Sequence, residues 1–303
     1  MRSGVRRTGE SYDRPMRLTP ALAALPLLLA AAACAPADEP SASSSSGASA
    51  SSASCAAANL PLKKAGTLTI GTDSPAYDPW FSKNDPANGK GFESAVAYAV
   101  ADQLGFSKDE VSWVKVPFNS SYAPGAKQFD FDINQISITP ARAKVVDFSD
   151  GYYSAAQGVI ALKGSKAASI TSLADLKDLK LGAQTGTTSL TAITDVVQPS
   201  SQPLVFDDTN QAKQALLNGQ VDAILADLPT AFYITAVEIP KGTIVGQFQP
   251  ETGQQEQFGM LFEKGSKLVP CVNEALAKLK TSGRLAQIEK QWLSDVVDVP
   301  VLK

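Results

Sequence analysis

From residue 66 onward, short runs rich in β-branched residues alternate with segments whose apolar residues return every three or four positions. The first run, TLTIGTD (67–73), ends in turn-forming residues and predicts a strand. GFESAVAYAVADQLG (91–105) predicts a helix, with Phe92, Val96, Val100 and Leu104 on one face and Gly105 as its stop. EVSWVKVPF predicts a second strand. FDFDINQISIT (129–139) predicts a third, interrupted by Asp130, Asp132 and Asn134, so these polar side chains need hydrogen-bonded partners or a place at the strand's ends. A short helix from Pro140 and a strand over 157–162 follow.

A second strand-and-helix series begins where Ser172 can cap a short helix. It continues with a strand over 180–183 running into Gly186, a helix in TNQAKQALL, a strand over 221–225 and a helix from Leu228. QFGMLFEKGS predicts another strand, and KLVPCVNEALAKLKTSGRLAQIEKQWL a helical pair broken at Ser282 and Gly283. This order predicts an α/β fold with mostly parallel sheets, arranged as two units, the second inserted into the first. A cleft between two such units is a common place for a small ligand.

Ahead of residue 60 the pattern changes. PALAALPLLLAAAA (20–33) is apolar, follows Arg17 and is too short to span a membrane comfortably, the layout of a secretory signal. It ends at Cys34, and the stretch from Ala35 to about Ala58 is a Ser/Ala tract that cannot bury enough surface to offset chain entropy. Glu10 and Asp13 are out of place in a signal, so translation is expected to begin at Met16. In an exported protein, the two remaining cysteines, Cys55 and Cys271, are expected to form a disulfide.

Composition narrows the chemistry. The 303 residues carry a formal charge of -3, which argues against nucleic acid as a partner. There is no histidine, so Ser/His/Asp and Cys/His nucleophile systems, HExxH helices and mixed Cys/His zinc sites are excluded. No cofactor and no metal is expected.

Several ordered segments resemble the extracytoplasmic solute-binding proteins of bacterial ABC importers, polar amino-acid family: IGTDSPAYDPWF, GKGFESAVAYAVADQLG, FDINQISITPARAKVVDFSDGYY, LGAQTGTTS, NGQVDAILADLPTAFY and FGMLFEKGSKL. The signal resembles that of a bacterial lipoprotein, with Cys34 as the acylated residue and Ala31 where that family prefers Leu. The resemblance implies a two-lobed periplasmic-binding-protein type II fold whose second lobe is inserted in the first, with a hinge of two crossing strands. The implied organisation is a signal with lipobox (1–34), a disordered leash (35–60), the first lobe (61–157), the second lobe (158–255) and a return to the first lobe (256–303).

The same resemblance assigns the ligand site. Arg142 would hold a ligand carboxylate, helped by the Ser137 hydroxyl and by Gly186, Thr187 and Thr188 at a helix start. Asp227 would accept the ammonium, and Asp222, at the strand's other end, is read as structural. Tyr77, Trp80 and Phe118 would stack on the ligand's aliphatic part, although three residues separate Asp73 from Tyr77 where the family commonly has two. Asp73 would reach a distal nitrogen, which hints at a basic or amide side chain, and Asn134 and Gln135 replace small residues common in the family. The implied protein is a monomeric, lipid-anchored receptor on the outer face of the cell membrane that delivers a polar amino acid to an ABC permease. Two alternatives remain at this point: a ligand sensor coupled to a membrane signalling protein, and a cyclohexadienyl-dehydratase-like enzyme, for which Glu93 is the helix-borne acid to consider.

Overall fold

The computed structural model describes residues 55–249, 255–293 and 299–303, all within one compact unit. The signal segment, Met16, Cys34 and the leash up to residue 54 lie outside the described residues. The predicted leash ends earlier than expected. Cys55 is bonded to Cys271, Ala57–Asn59 form a helical turn, and Leu60 is buried in the core.

The strands, in chain order, are β1 (Leu68–Thr72), β2 (Val111–Lys115), β3 (Phe131–Asp132), β4 (Val146–Phe148), β5 (Tyr153–Ala155), β6 (Gln157–Leu162), β7 (Leu181–Gln184), β8 (Leu204–Phe206), β9 (Ala223–Asp227), β10 (Gly242–Phe248), β11 (Glu256–Phe258) and β12 (Leu261–Glu263). The first lobe's sheet has the order β2-β1-β3-β12-β4, and the second lobe's the order β10-β6-β9-β7-β8. Strands β5 and β11, one from each crossing between the lobes, pair antiparallel in a separate ribbon. The expected parallel pairing holds among β1, β2 and β3 in the first lobe and among β7, β8 and β9 in the second. Strands on the re-entering path, β12 and β10, run antiparallel to theirs.

The helices used below are α1 (Phe92–Gln103), α2 (Thr188–Thr191), α3 (Thr209–Leu217), α4 (Leu228–Tyr233), α5 (Val269–Thr281) and α6 (Arg284–Trp292). The apolar stripe read from the sequence is the buried one: Phe92, Val96, Val100 and Leu104 all lie in the first lobe's core, against the terminal pair α5 and α6. The third predicted strand is cut to two residues. Asp130, just ahead of it, accepts from the backbone amides of Lys63 and Thr69, each at 2.7 Å.

Asp132 departs from expectation. It is fully buried and neither carboxyl oxygen has a hydrogen-bond partner. Burial pushes its pKa well up, reinforced by the carboxylates of Glu93 and Asp73. Glu93, also buried, accepts from the Gln135 backbone amide at 2.6 Å, from the Gln135 side chain and from the Tyr152 hydroxyl. Burial outweighs these donors and raises its pKa from the ordinary 4.5 to about 7.

The end of the chain corrects the expectation that residues 256–303 belong wholly to the first lobe. Residues 299–303 lie on the second. The Gln247 amide donates to the Pro300 carbonyl at 2.8 Å and the Leu302 amide to the Gln247 carbonyl at 2.9 Å, adding a parallel bridge at the β10 edge. Leu302 is buried in the second lobe's core. Gly246 makes the room, since a Cβ there would sit 2.4 Å from Leu302 Cγ.

Two predictions follow from these buried groups. Leu302→Ala should lower stability by roughly 2–4 kcal/mol in denaturant melts, and amide exchange should accelerate in β10 while α1 stays protected. Because the folded pKa of Glu93 lies above its unfolded value, its contribution is full below about pH 4.5 and fades as pH rises through about 7. Glu93→Gln should therefore flatten the decline in stability across that window by on the order of 3 kcal/mol.

Candidate functional site

The ends of β1, β7 and β9 meet between the lobes, where each strand gives way to a turn or a helix start. Such ends leave backbone groups and short polar side chains pointing into the gap. A cavity of about 60 Å³ lies there, lined by Asp73, Tyr77, Phe118, Asn134 and Gln135 from the first lobe and by Gln184, Thr187, Thr188, Ser189, Thr209, Asp227 and Thr230 from the second. An outer opening of about 240 Å³ runs past Asp73 and Tyr77 to Asp207 and Asp208. A larger opening of about 650 Å³ lies on the other side of Thr188 and is lined by Ser137, Lys144 and Glu256 among others.

Most of the expected residues converge. Asp73 accepts from the amides of Ser74 at 2.6 Å and Phe118 at 3.1 Å, which fixes the carboxylate at the cavity's outer end. The Tyr77 hydroxyl has no hydrogen-bond partner, and burial, with Asp208 nearby, raises its pKa. Thr187 caps α2: its hydroxyl oxygen accepts from the Leu190 amide at 3.1 Å and donates to the Gln184 carbonyl at 2.8 Å. Asp222 accepts from the Lys180 amide at 2.8 Å, away from the cleft, in keeping with a structural part.

Arg142 is buried and reaches across the lobes. It donates to the carbonyl of Ser137 at 2.8 Å in the first lobe and to that of Gly186 at 2.9 Å in the second. Its guanidinium carbon stands 4.7 Å from the Tyr122 ring centre and 5.5 Å from that of Phe118. Burial lowers its pKa, while Tyr122, Glu256 and Asp227 act to raise it. Gly186 has φ 73°, and a Cβ there would come within 1.9 Å of Asn119 Oδ1, so this close approach of the lobes requires glycine.

Four expected site residues do not line the 60 Å³ cavity: Ser137, which borders the larger opening, Arg142 and Gly186, which bond to each other beside it, and Trp80. Trp80 lies furthest from the expected role. It is fully buried among Phe92, Tyr153 and Phe258, in edge-to-face contacts at 5.6–5.9 Å. Its indole N–H donates to Thr230 Oγ1 at 2.8 Å, one layer behind the lining. The indole is too large and apolar to leave the core beside Phe81 for a polar gap.

Sequence reasoning missed a buried polar chain at the crossings. Gln157, at the start of β6, donates through Nε2 to Asp227 Oδ1 at 2.9 Å and to Glu256 Oε2 at 2.8 Å. Its Oε1 accepts from the Ser189 hydroxyl. Glu256 Oε1 accepts from the Thr188 hydroxyl at 2.6 Å and from the Ser137 hydroxyl. Burial, followed by the neighbouring Glu256 carboxylate, pushes the Asp227 carboxyl well above the usual range. The available signal was the polar residue opening each of two apolar strands, QGVIAL and EQFGMLF.

The comparisons with known proteins agree with this architecture. The family model of bacterial extracellular solute-binding proteins, family 3, matches residues 68–295. The ABC transporter glutamine-binding protein GlnH of Bacillus subtilis (strain 168) is 31% identical over 220 residues, covering 71% of this chain and 77% of the relative. A solved ancestral arginine-binding protein bound to arginine is 33% identical with a TM-score of 0.64, covering 76% of this chain and 99% of that one. An ancestral amino acid-binding protein described as a precursor of cyclohexadienyl dehydratase is 30% identical with a TM-score of 0.62, covering 76% and 96%. With more than half its length matched by one family model, the chain belongs to the bacterial extracellular solute-binding proteins of family 3.

Proposed function

We propose that this protein is a receptor that takes up a polar amino acid between its lobes and delivers it to an ABC importer. The observation that carries the reading is the interlobe cavity, lined by one carboxyl group from each lobe, Asp73 and Asp227, and otherwise by uncharged side chains. In this reading Arg142 and the first-turn amides of Thr187 and Thr188 hold the ligand carboxylate, and Asp227 takes the ammonium. Ser137 and Gly186 shape the carboxylate end, and Tyr77 and Phe118 flank the aliphatic part. Asp73, with Asp207 and Asp208 beyond it, favours a cationic or amide-bearing side chain. The relatives that bind arginine and glutamine fit that class.

The reading extends to the cell surface. Acylation at Cys34, on a Ser/Ala leash, would hold a monomeric receptor at the outer face of the membrane. Among the described residues no helix is long and apolar enough to cross it. Binding without turnover is favoured over dehydratase chemistry because Glu93 is buried behind Gln135 and already takes three donors. A general acid or base needs to reach the ligand.

Arginine, ornithine, lysine or glutamine should raise the melting temperature of the chain from Cys55 onward, because a ligand of the folded state stabilises it. Arg142→Ala should weaken that ligand roughly 10- to 100-fold by calorimetry, the size of one lost charge-assisted contact. A panel of all twenty amino acids with no shift, or consumption of prephenate in the same wells, would count against the receptor reading.

A further inference from the structure

On the first lobe's side of the cavity, two polar side chains are already tied to the protein. Both carboxylate oxygens of Asp73 accept from backbone amides, and the Gln135 side chain donates to Glu93. Asn134 is different. It lines the same cavity, only 7% of it is exposed, and its Nδ2 has no hydrogen-bond partner. A buried amide nitrogen left unpaired is costly, which calls for a partner from outside the chain. The sheet sets this amide beside Asp73. Strands β1 and β3 run parallel with Gly71 opposite Asp132, and the Ile133 amide carries the ladder one step further by donating to the Gly71 carbonyl at 3.0 Å. A Cβ on Gly71 would sit 2.5 Å from Asp132 Oδ2, so positions 71 and 132 share one face. Side chains alternate along a strand, so two residues on the same register brings Asp73 and Asn134 abreast on that face, where both border the cavity. A carboxylate, which only accepts, thus stands next to an amide with hydrogens to give.

We propose that Asn134 is a specificity residue which, paired with Asp73, selects a ligand side chain ending in a carboxamide or ureido group over one ending in a guanidinium or ammonium. The proposal rests on the amino-acid reading given above and deepens it, since charge alone admits both kinds of side chain. A carboxamide brings an NH₂ group for Asp73 and a carbonyl oxygen for Asn134 Nδ2, and a ureido group brings the same two. A guanidinium or an ammonium offers hydrogens only. Such a cation suits Asp73, and Asp207 and Asp208 in the outer opening, but it leaves the Asn134 hydrogens unpaired. A carboxylate side chain has an acceptor for Asn134 and meets repulsion at Asp73. A site built to hydrogen-bond one ligand group rejects the analogue that lacks it, because its own buried polar groups are then left without partners.

The test pairs a change in the ligand with a change in the protein. L-Glutamine, L-citrulline, L-arginine and L-ornithine are titrated by calorimetry into the wild-type chain, Asn134→Ala and Asn134→Asp. Citrulline and arginine have the same length and differ only in a carbonyl oxygen against a charged imino nitrogen. In the wild type the tightest ligand should be glutamine or citrulline, at least about tenfold tighter than the better of the two cations. Asn134→Ala should weaken that ligand by about tenfold or more and leave arginine within about threefold of wild type, a selective loss that a merely structural role does not produce. Asn134→Asp keeps the side chain's shape and replaces the donor by a second carboxylate, so it should invert the order and favour arginine. The comparison is between ligands within one protein, and either variant suffices if the other folds poorly. Arginine or ornithine as the tightest wild-type ligand, or equal losses of all four in Asn134→Ala, would overturn the selection while leaving the receptor reading in place. Binding of none of the four would also overturn the selection, and the panel of all twenty amino acids then decides the receptor reading by itself.

Discussion

Two carboxyl groups, Asp227 and Glu256, stand on either side of one primary amide, that of Gln157, in a place largely closed to water. Unscreened carboxylates at such a spacing repel, and one of them takes up a proton unless a donor or a cation intervenes. The amide supplies two hydrogens with a fixed geometry, which ties β6, β9 and β11 together at the crossings. The remainder of the cleft is arranged around that constraint. Thr188 and Ser137 close it from the two lobes through Glu256, and Arg142 answers its negative charge from the far side of Gly186. A binding protein that hinges needs contacts that form together or break together, and a network of this kind, in which each hydrogen has one recipient, has that property.

Contacts across the gap come from different kinds of chemistry. Trp80 meets Thr230 with a single N–H, Tyr122 reaches the Gly186 carbonyl at 3.2 Å, and Arg142 binds the same carbonyl. None of these groups is loose on its own side. Trp80 is packed in an aromatic cluster, and Arg142 is held between two rings and the Ser137 carbonyl. Rigid groups on each lobe make the closed arrangement specific in geometry, since a shift of an ångström breaks several bonds at once.

The parts of the fold and site legible in the sequence were those whose cause is local. The α1 stripe follows from a 3.6-residue period, Thr187 from capping, and Asp227 and Arg142 from short segments whose spacing carries the family pattern. The illegible parts depend on residues distant along the chain. Gln157 and Glu256 are 99 positions apart, and each reads alone as a polar residue at a strand's edge. Asp132 reads as a group in need of a partner, yet it is buried without one and its pKa is pushed well up. Trp80 and Tyr77 sit three positions apart in one aromatic-rich stretch, and only packing separates the core residue from the lining one. Strand β10 was missed because Gly246 interrupts its β-branched run, and that glycine is there for Leu302, whose arrival a local reading cannot anticipate.

Leu302 also sets an order of events. A ribosome makes this chain from the amino end, and Leu302 follows both terminal helices in sequence. The second lobe's sheet is complete in sequence by Phe248, yet one side chain of its core is still unmade at that point. The lobe formed by the middle of the chain therefore finishes its interior only after both terminal helices have been made. A chain cut just before Leu302 would carry both lobes and every group of the cleft, and would leave a gap beside Gly246.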